Sequence, residues 1–423
     1  MKSVSENEKI PLWARDRPEK PESSERVAQV KYGALGQLFF FAAFFAFILR
    51  FLIGISGLLP MRPELLNTIL VVVGISCAIA KIALQRYSLR RLLFTVAICG
   101  IIGYSAIISV NFLFLQSFLL IIAMQDMKFE NVVRFGFYCK LIAIIIHVIA
   151  YIFVFNINPD VITFVYRAGI GDPRHYFFMG HANTFMSILL WTCLEFIYLN
   201  YKKVNLLHFA TIWAIYLIFF YFTRTLTGIF LLVAVTLLVA FDKLGKDFYG
   251  KLLTFLTKYL YVFFAIAISF LVVVYTRLSG MLLLWWHALD NFFTGRLWFG
   301  AFAYYDLGPT LFGRPDRSPQ RVFWAGRYFR TMTVFDNYYL GNFLSYGLVN
   351  TIATIIALIV LAGRMENKEK IILILFALYG LMSSEVSNIT ICFALLIFGK
   401  YVYMDKKEND SSTLSQNAPK TVQ

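Results

Sequence analysis

The sequence predicts an all-α, polytopic integral membrane protein of about twelve transmembrane helices, with one large external loop over about 277–335 that contains short helices. Three observations carry this. Of 423 residues, 59% are hydrophobic and only 15% are charged. Apolar stretches recur at or near the roughly 20-residue length that crosses a bilayer core. Every second loop is basic and all but one of these carry lysine, whereas the longest loops between them carry arginine and no lysine.

Residues 1–33 are polar, with Pro11, Pro18, Pro21 and seven Lys/Arg, and read as a disordered cytoplasmic tail. No short apolar run there ends in a small-residue cleavage site, so no secretory signal is expected. The membrane domain covers 34–404, with spans near 34–56, 65–85, 92–109, 111–125, 134–157, 182–200, 206–222, 226–242, 259–276, 337–362, 371–385 and 388–404. The third and fourth spans are joined tightly, as are the last two, and either pair can hold a re-entrant segment. Residues 405–423 form a second polar cytoplasmic tail.

Lysine fixes the sidedness. Arg86 with Arg90 and Arg91, Lys128, Lys202 and Lys203, Lys243 to Lys258, and Arg364 with Lys368 and Lys370 mark cytoplasmic loops, and an even span count leaves both termini cytoplasmic. The net charge of +15 is accounted for in this way and calls for no nucleic acid. The expected location is the cytoplasmic (inner) membrane, multi-pass. The five cysteines lie in apolar stretches with no CxxC pair, which argues against a disulfide framework or zinc site. No HExxH or Asp-x-Asp signature is present, so neither a metal nor a cofactor is expected.

The other face is arginine-only. It comprises the loop 158–181 with Arg167 and Arg174, the turn Thr223-Arg224-Thr225, and the loop 277–335 with Arg277, Arg296, Arg314, Arg317, Arg321, Arg327 and Arg330. A solvated loop has no reason to choose one cation, but guanidinium grips phosphate or carboxylate as a fork and stays charged when desolvated. This face therefore reads as built to hold an anion. The long loop carries Trp285, Trp286, Trp298 and Trp324, which argues against disorder, and Met281–Leu289 reads as an amphipathic interfacial helix.

Single residues keep two readings each. His181 and Asn183 stand at a helix start, either as interface residue and cap or as anion ligands. Arg224, between two spans, either snorkels or is functional because a membrane arginine is costly. Its flanking threonines are positioned to share a phosphate with it. Asp336 and Asn337 stand at another helix start, where Asp336 is a cap or a general base. Glu385, between the last two spans, is a weaker candidate.

In order and sidedness these motifs resemble the Wzy-type O-antigen, capsular or exopolysaccharide repeat-unit polymerases, in the superfamily of the O-antigen ligases. The likeness runs over roughly 160–350: Arg174 with Gly180-His181-Ala182-Asn183, then Thr223-Arg224-Thr225, Gly295-Arg296, Phe312-Gly313, and Asp336-Asn337 with Gly347. Ala182 stands where the family has proline, and Thr223 where it has serine. The ligases have His-Asn at the end of the long loop; Asp336 in the His position favours polymerase over ligase.

The resemblance implies a metal-independent glycosyltransferase. It would move a growing glycan from polyprenyl diphosphate to a sugar hydroxyl of the next lipid-linked unit, on the external membrane face. Arg224, Arg174 and Arg296, with Arg167 in reserve, would neutralise diphosphate. Asn183 and Asn337 would contribute to substrate binding, and Asp336 or His181 would take the acceptor proton. Membrane lipids and other assembly proteins, a flippase and a chain-length regulator, are the implied partners. A ligase is the nearest alternative, and a transporter of an anionic solute is the alternative from another class.

Overall fold

The structure, a computed structural model, describes residues 23–59, 64–85, 87, 89–109, 112–157, 164–166, 173–245, 247–278, 281–292, 295–314, 321–324, 327–330 and 337–402. The chain is helical: α1 (Ser23–Ile55), α2 (Glu64–Ala83), α3 (Leu89–Ser109), α4 (Phe112–Ala123) and α5 (Phe129–Ile157) come first. A hairpin of β1 (Phe164–Tyr166) and β2 (Pro173–His175) precedes α6 (Ala182–Leu199), α7 (Leu206–Thr223), α8 (Thr227–Lys243) and α9 (Asp247–Tyr275). The long loop folds as α10 (Met281–Phe292), α11 (Arg296–Leu307) and a hairpin of β3 (Arg321–Trp324) with β4 (Arg327–Arg330). The chain closes with α12 (Tyr338–Gly341), a π turn Asn342–Tyr346, α13 (Leu348–Leu361), α14 (Asn367–Gly380) and α15 (Leu396–Val402). Helix α1 thus begins inside the expected 1–33 tail, because Ser23 onward continues the α1 run.

Six of these helices are long and apolar enough to cross a membrane: Gly33–Ile55, Glu64–Ala83, Phe129–Val154, Ala182–Leu199, Leu206–Thr223 and Phe248–Tyr275. The protein is a multi-pass membrane protein. Large apolar side chains such as Leu65, Val72, Ile107, Ile152, Phe230 and Phe263 are exposed on its flanks, where only lipid can cover them. Helix α6 is the exception. Its window is 78% buried, against 17–33% for the other five, so α6 is the axis around which the bundle packs. Phe185 in its first turn and Trp191 at its centre are fully enclosed.

The expected last span is not one helix. After α14 the chain runs through a 3₁₀ turn Ser384–Ser387 and a second, Phe393–Leu395, before α15 resumes. Val386, Ile389, Ile391, Cys392 and Phe393 are all buried. Non-helical backbone at membrane depth survives only where protein satisfies its polar groups. Here Lys140 Nζ on α5 donates to Ile391 O at 2.8 Å while paired with Glu195 on α6 at 2.6 Å, and Ser117 Oγ donates to Ser387 O at 3.4 Å.

Two turns need glycine. Gly313 (φ +88) and Gly347 (φ +92) face each other, and a Cβ on Gly347 would stand 2.4 Å from Gly313 N. Their contact lets 310–314 lie along 345–349, with Leu348 N donating to Thr310 O and Val349 N to Leu311 O. Ser105 on α3 binds both Phe312 O (2.7 Å) and Tyr346 O (3.1 Å), so the return of the long loop is clamped to the bundle.

Candidate functional site

At the end of the bundle that carries Arg174 and Arg224, three elements converge: β2, the N-terminus of α6, and the α7–α8 turn. Arg174, on β2, is their joint. Its Nε donates to Thr223 O at 2.8 Å, and its Nη2 donates to Asn183 Oδ1 at 2.8 Å and to Thr225 Oγ1 at 2.6 Å. The planar fork suits three neutral oxygens on two elements, which an ammonium could not reach together. His175 anchors the same strand through its Nδ1 against Tyr151 OH at 2.6 Å, and its ring meets Phe222 edge-on. Burial lowers the His175 pKa below the usual imidazole value.

The turn between β2 and α6 is strained. Phe177 and Phe178 both adopt left-handed backbone (φ +49 and +57) although both are large and buried. Such residues persist only where surrounding structure over-determines them, and they cluster at functional sites. Here Gly57 N donates to Phe178 O at 2.7 Å, and the Phe177 ring packs on Phe185 and Phe219.

His181 is the N-cap of α6, with Nδ1 accepting from Asn183 N–H at 3.1 Å. That bond assigns the tautomer: in the neutral ring the proton sits on Nε2. His181 therefore presents a donor rather than an acceptor.

Beneath this cluster lies a cavity of about 330 Å³. Its wall includes His181, Asn183, Thr184 and Ser187 of α6, Thr225, Tyr216 of α7, Tyr379 of α14, and Ser383-Ser384-Glu385 of the unwound stretch. Glu385 Oε1 accepts from Thr184 Oγ1 at 2.6 Å, Ser187 and Tyr379 share a hydroxyl–hydroxyl bond, and the buried Tyr216 hydroxyl finds no partner among the described residues. Gly228 opposite Tyr216 leaves room for that hydroxyl; a Cβ there would fall 1.5 Å from it.

The structure gathers some of the expected site residues and separates others. Arg174, His181 and Asn183 form one cluster with Thr223 and Thr225. Arg224 stands beside it but turns outward: it caps α7 in the left-handed region (φ +53), is exposed, and lies over the Tyr221 ring at 4.9 Å. The threonines expected to share a phosphate with Arg224 instead hold Arg174, because the left-handed cap rotates the Arg224 side chain away from its neighbours. Asn337 is a cap. Its Oδ1 accepts from Tyr339 N and Leu340 N, and its Nδ2 holds Leu381 O at 3.1 Å, next to cavity residue Met382. Arg296 opens α11 after Gly295 (φ +82) and is not in the cavity wall; α11 packs through Leu297 and Ala301 on α9. Arg167 and Asp336 lie outside the described residues.

Glu385, weighed lightly from sequence, stands in the wall. Tyr216, Tyr379, Ser187 and the Ser383-Ser384 pair were missed. Their signal was polarity inside otherwise apolar spans. Among the described residues no group of three or more His, Cys, Asp or Glu gathers as a metal set. Compared with known protein families, curated proteins and solved structures, the chain matches none of them.

Proposed function

We propose that the protein is a membrane-embedded glycosyltransferase that polymerises polyprenyl-diphosphate-linked oligosaccharide units on the external face of the cytoplasmic membrane. The reading takes the twelve-span topology with both termini cytoplasmic, in which α14 and the interrupted stretch through α15 are the last two crossings. One observation carries it: a cavity at the arginine end lined by a carboxylate, an imidazole, an amide and eight hydroxyl side chains, and bound through Asn183 and Thr225 to Arg174. Hydroxyl-rich sugars are recognised by such mixed donors and acceptors, and a fixed guanidinium stabilises the charge that develops on a departing diphosphate.

In this reading the acceptor hydroxyl attacks the anomeric carbon of the donor glycan. The bond from that carbon to diphosphate breaks, and its electron pair leaves with the diphosphate, a weak base that needs no general acid. The acceptor proton passes to a carboxylate. Glu385 lines the cavity, so it is assigned that role ahead of Asp336, and His181 serves as a hydrogen-bond donor. Arg224, at the rim, draws the lipid diphosphate toward the cavity. The deciding test is deletion of the gene in its host, with surface polysaccharide sized on gels. Loss of long chains with single lipid-linked units retained is expected; unchanged chain length refutes the reading.

One observation favours transport of an anionic solute instead: the buried Lys140–Glu195 pair against unwound backbone, a feature of transport proteins. Uptake of labelled solute by proteoliposomes without any polymer phenotype would select it.

A further inference from the structure

A second cavity, of about 250 Å³, lies further along the unwound stretch, walled by Arg50 of α1, Asn67 of α2, Gln116 of α4, and Asn388 with Thr390. Arg50 sits five residues before the end of α1, roughly 7–8 Å along the helix axis, in the half of the bundle nearer the arginine end. Its Nη1 reaches Gln116 Oε1 at 3.4 Å, a long bond, and among the described residues it has no other acceptor and no carboxylate. An arginine within the membrane costs about 2.5–3.5 kcal/mol on insertion scales, so a position that keeps one needs a counter-charge or a use for it.

Gln116 supplies the second, independent observation. It is 2% exposed and its Nε2 has no partner among the described residues. The amide cannot be turned over, because that would set its NH₂ against the guanidinium. An N–H donor is therefore held in the wall beside an uncompensated cation. Asn67 lines the same wall but leaves an acceptor, its Oδ1, buried without a partner among the described residues, so the donors toward an anion are Arg50 and Gln116. The volume is several times the roughly 30 Å³ of a water molecule.

We propose that this cavity is a binding site for a phosphate-ester anion. A planar carboxylate meets one fork well, but the Arg50 guanidinium of α1 and the Gln116 N–H of α4, arriving from different helices, suit the tetrahedral oxygens of phosphate. Arg50 and Asn67 are half-buried rather than enclosed, so the cavity reaches the flank of the bundle, where lipid phosphate is at hand. This deepens the function proposed above, since a transfer between two lipid-linked substrates requires two phosphate sites. It rests on that reading only for the identity of the lipid.

The test uses the full chain purified in a phosphate-free maltoside detergent, with no glycan present, so its outcome is independent of polymerisation. Geranylgeranyl monophosphate is the probe, geranylgeraniol the uncharged control and inorganic phosphate the competitor. Loss of a charge-assisted contact predicts binding weakened about tenfold or more in Arg50→Gln and about three- to tenfold in Gln116→Leu, with Arg50→Lys between wild type and Arg50→Gln. Gln116→Leu and Arg50→Lys keep the test valid if Arg50→Gln misfolds, which size-exclusion chromatography reports. Failure of inorganic phosphate to compete identifies a lipid phosphate; full competition identifies a free anion at the same site. Equal binding by all four proteins, or geranylgeraniol binding as tightly as the phosphate, overturns the proposal.

Discussion

One end of this bundle carries arginine without lysine and the other carries lysine as well, and the two use their charges differently. At the lysine end the charges are consumed. Glu369, fully buried, accepts from Lys400 Nζ at 2.6 Å, from Tyr198 OH at 3.1 Å, from Glu366 N at 3.0 Å and from Tyr401 OH. Lys368 joins Glu130 (3.3 Å) to Glu366 (3.2 Å) and lies over the Tyr198 ring at 4.7 Å. Asn367 reaches Asp242 at 2.7 Å. The ends of α5, α6, α8, α14 and α15 are tied by this one network. Between described residues every ion pair joins a lysine to a glutamate. At the arginine end Arg174 is held by neutral oxygens, and carboxylate, hydroxyls and imidazole N–H face a cavity. One end is a fastening; the other, in the function proposed above, is where the substrate is held. The lesson is that carboxylates between lysines lock helix ends together, whereas a guanidinium among amide, hydroxyl and carbonyl oxygens joins a strand to two helices at the rim of a cavity.

The comparison breaks most visibly at Glu385. Glu385→Gln keeps the hydrogen bond from Thr184 and removes the base proposed above, so transfer is expected to fall about 10²–10⁴-fold at normal protein level, read as polymer length on gels. If Asp336→Asn abolishes polymer and Glu385→Gln does not, the base is Asp336. The corresponding cut at the other end is Glu369→Leu. It leaves Lys400 only its partly exposed Glu366 partner at 3.3 Å and takes the acceptor from Tyr198 and Tyr401; breaking a buried pair costs about 3–5 kcal/mol, so a large drop in melting temperature in detergent is expected. A variant as stable as wild type would mean that the lysine end is no fastening.

Arg224→Lys is expected to act more gently. The exposed guanidinium touches only the Tyr221 ring among the contacts described for it, so keeping the charge should raise the apparent KM for lipid-linked donor a few-fold, on the order of a surface electrostatic contact, and leave kcat. A collapse in kcat would move Arg224 into the chemistry.

The smallest effect is that of pH, and the two ends differ in its window. Burial depresses the folded pKa of His175 below 6.5, so the unfolded chain binds the proton better; stability falls as pH drops below about 6.5 and levels off below the folded value. For Glu366, burial pushes its carboxyl up, but Lys400 and Lys368 outweigh that and hold it below 4.5. Its contribution is present above about 4.5 and is lost as pH falls through the folded value. Melting curves should therefore show a shallow loss near pH 6, absent in His175→Gln, before a separate acid loss that Glu366→Gln removes.

Much of this was legible in the chain. The apolar runs announced helices because in lipid a helix is the one open segment that satisfies its own backbone. The lysine gap marked the arginine end because the two cations differ in hydration and shape, a property that travels with the residue. Asn183 and the Thr223-Arg224-Thr225 turn were singled out together with Arg174, and they meet. What could not be read was direction. Arg224 was singled out from its position between two spans, but its side is set by a left-handed cap, a backbone angle that no local pattern announces for arginine. Asn337 was chosen at a helix start, and whether its amide faces a ligand or its own helix is decided by Leu381, 44 residues away. The last span hid most. Its residues are apolar enough to be a helix, yet Lys140 and Ser117 hold part of it unwound from other helices, and that places Ser383, Ser384 and Glu385 in the wall of one cavity and Asn388 and Thr390 in the wall of another.

Composition and order alone determined that this is a multi-pass helical membrane protein in which one set of loops has arginine without lysine, since those properties are summed residue by residue. Only the tertiary structure decided which polar groups share a cavity, because a hydrogen bond between distant helices depends on where each helix is broken, capped and turned.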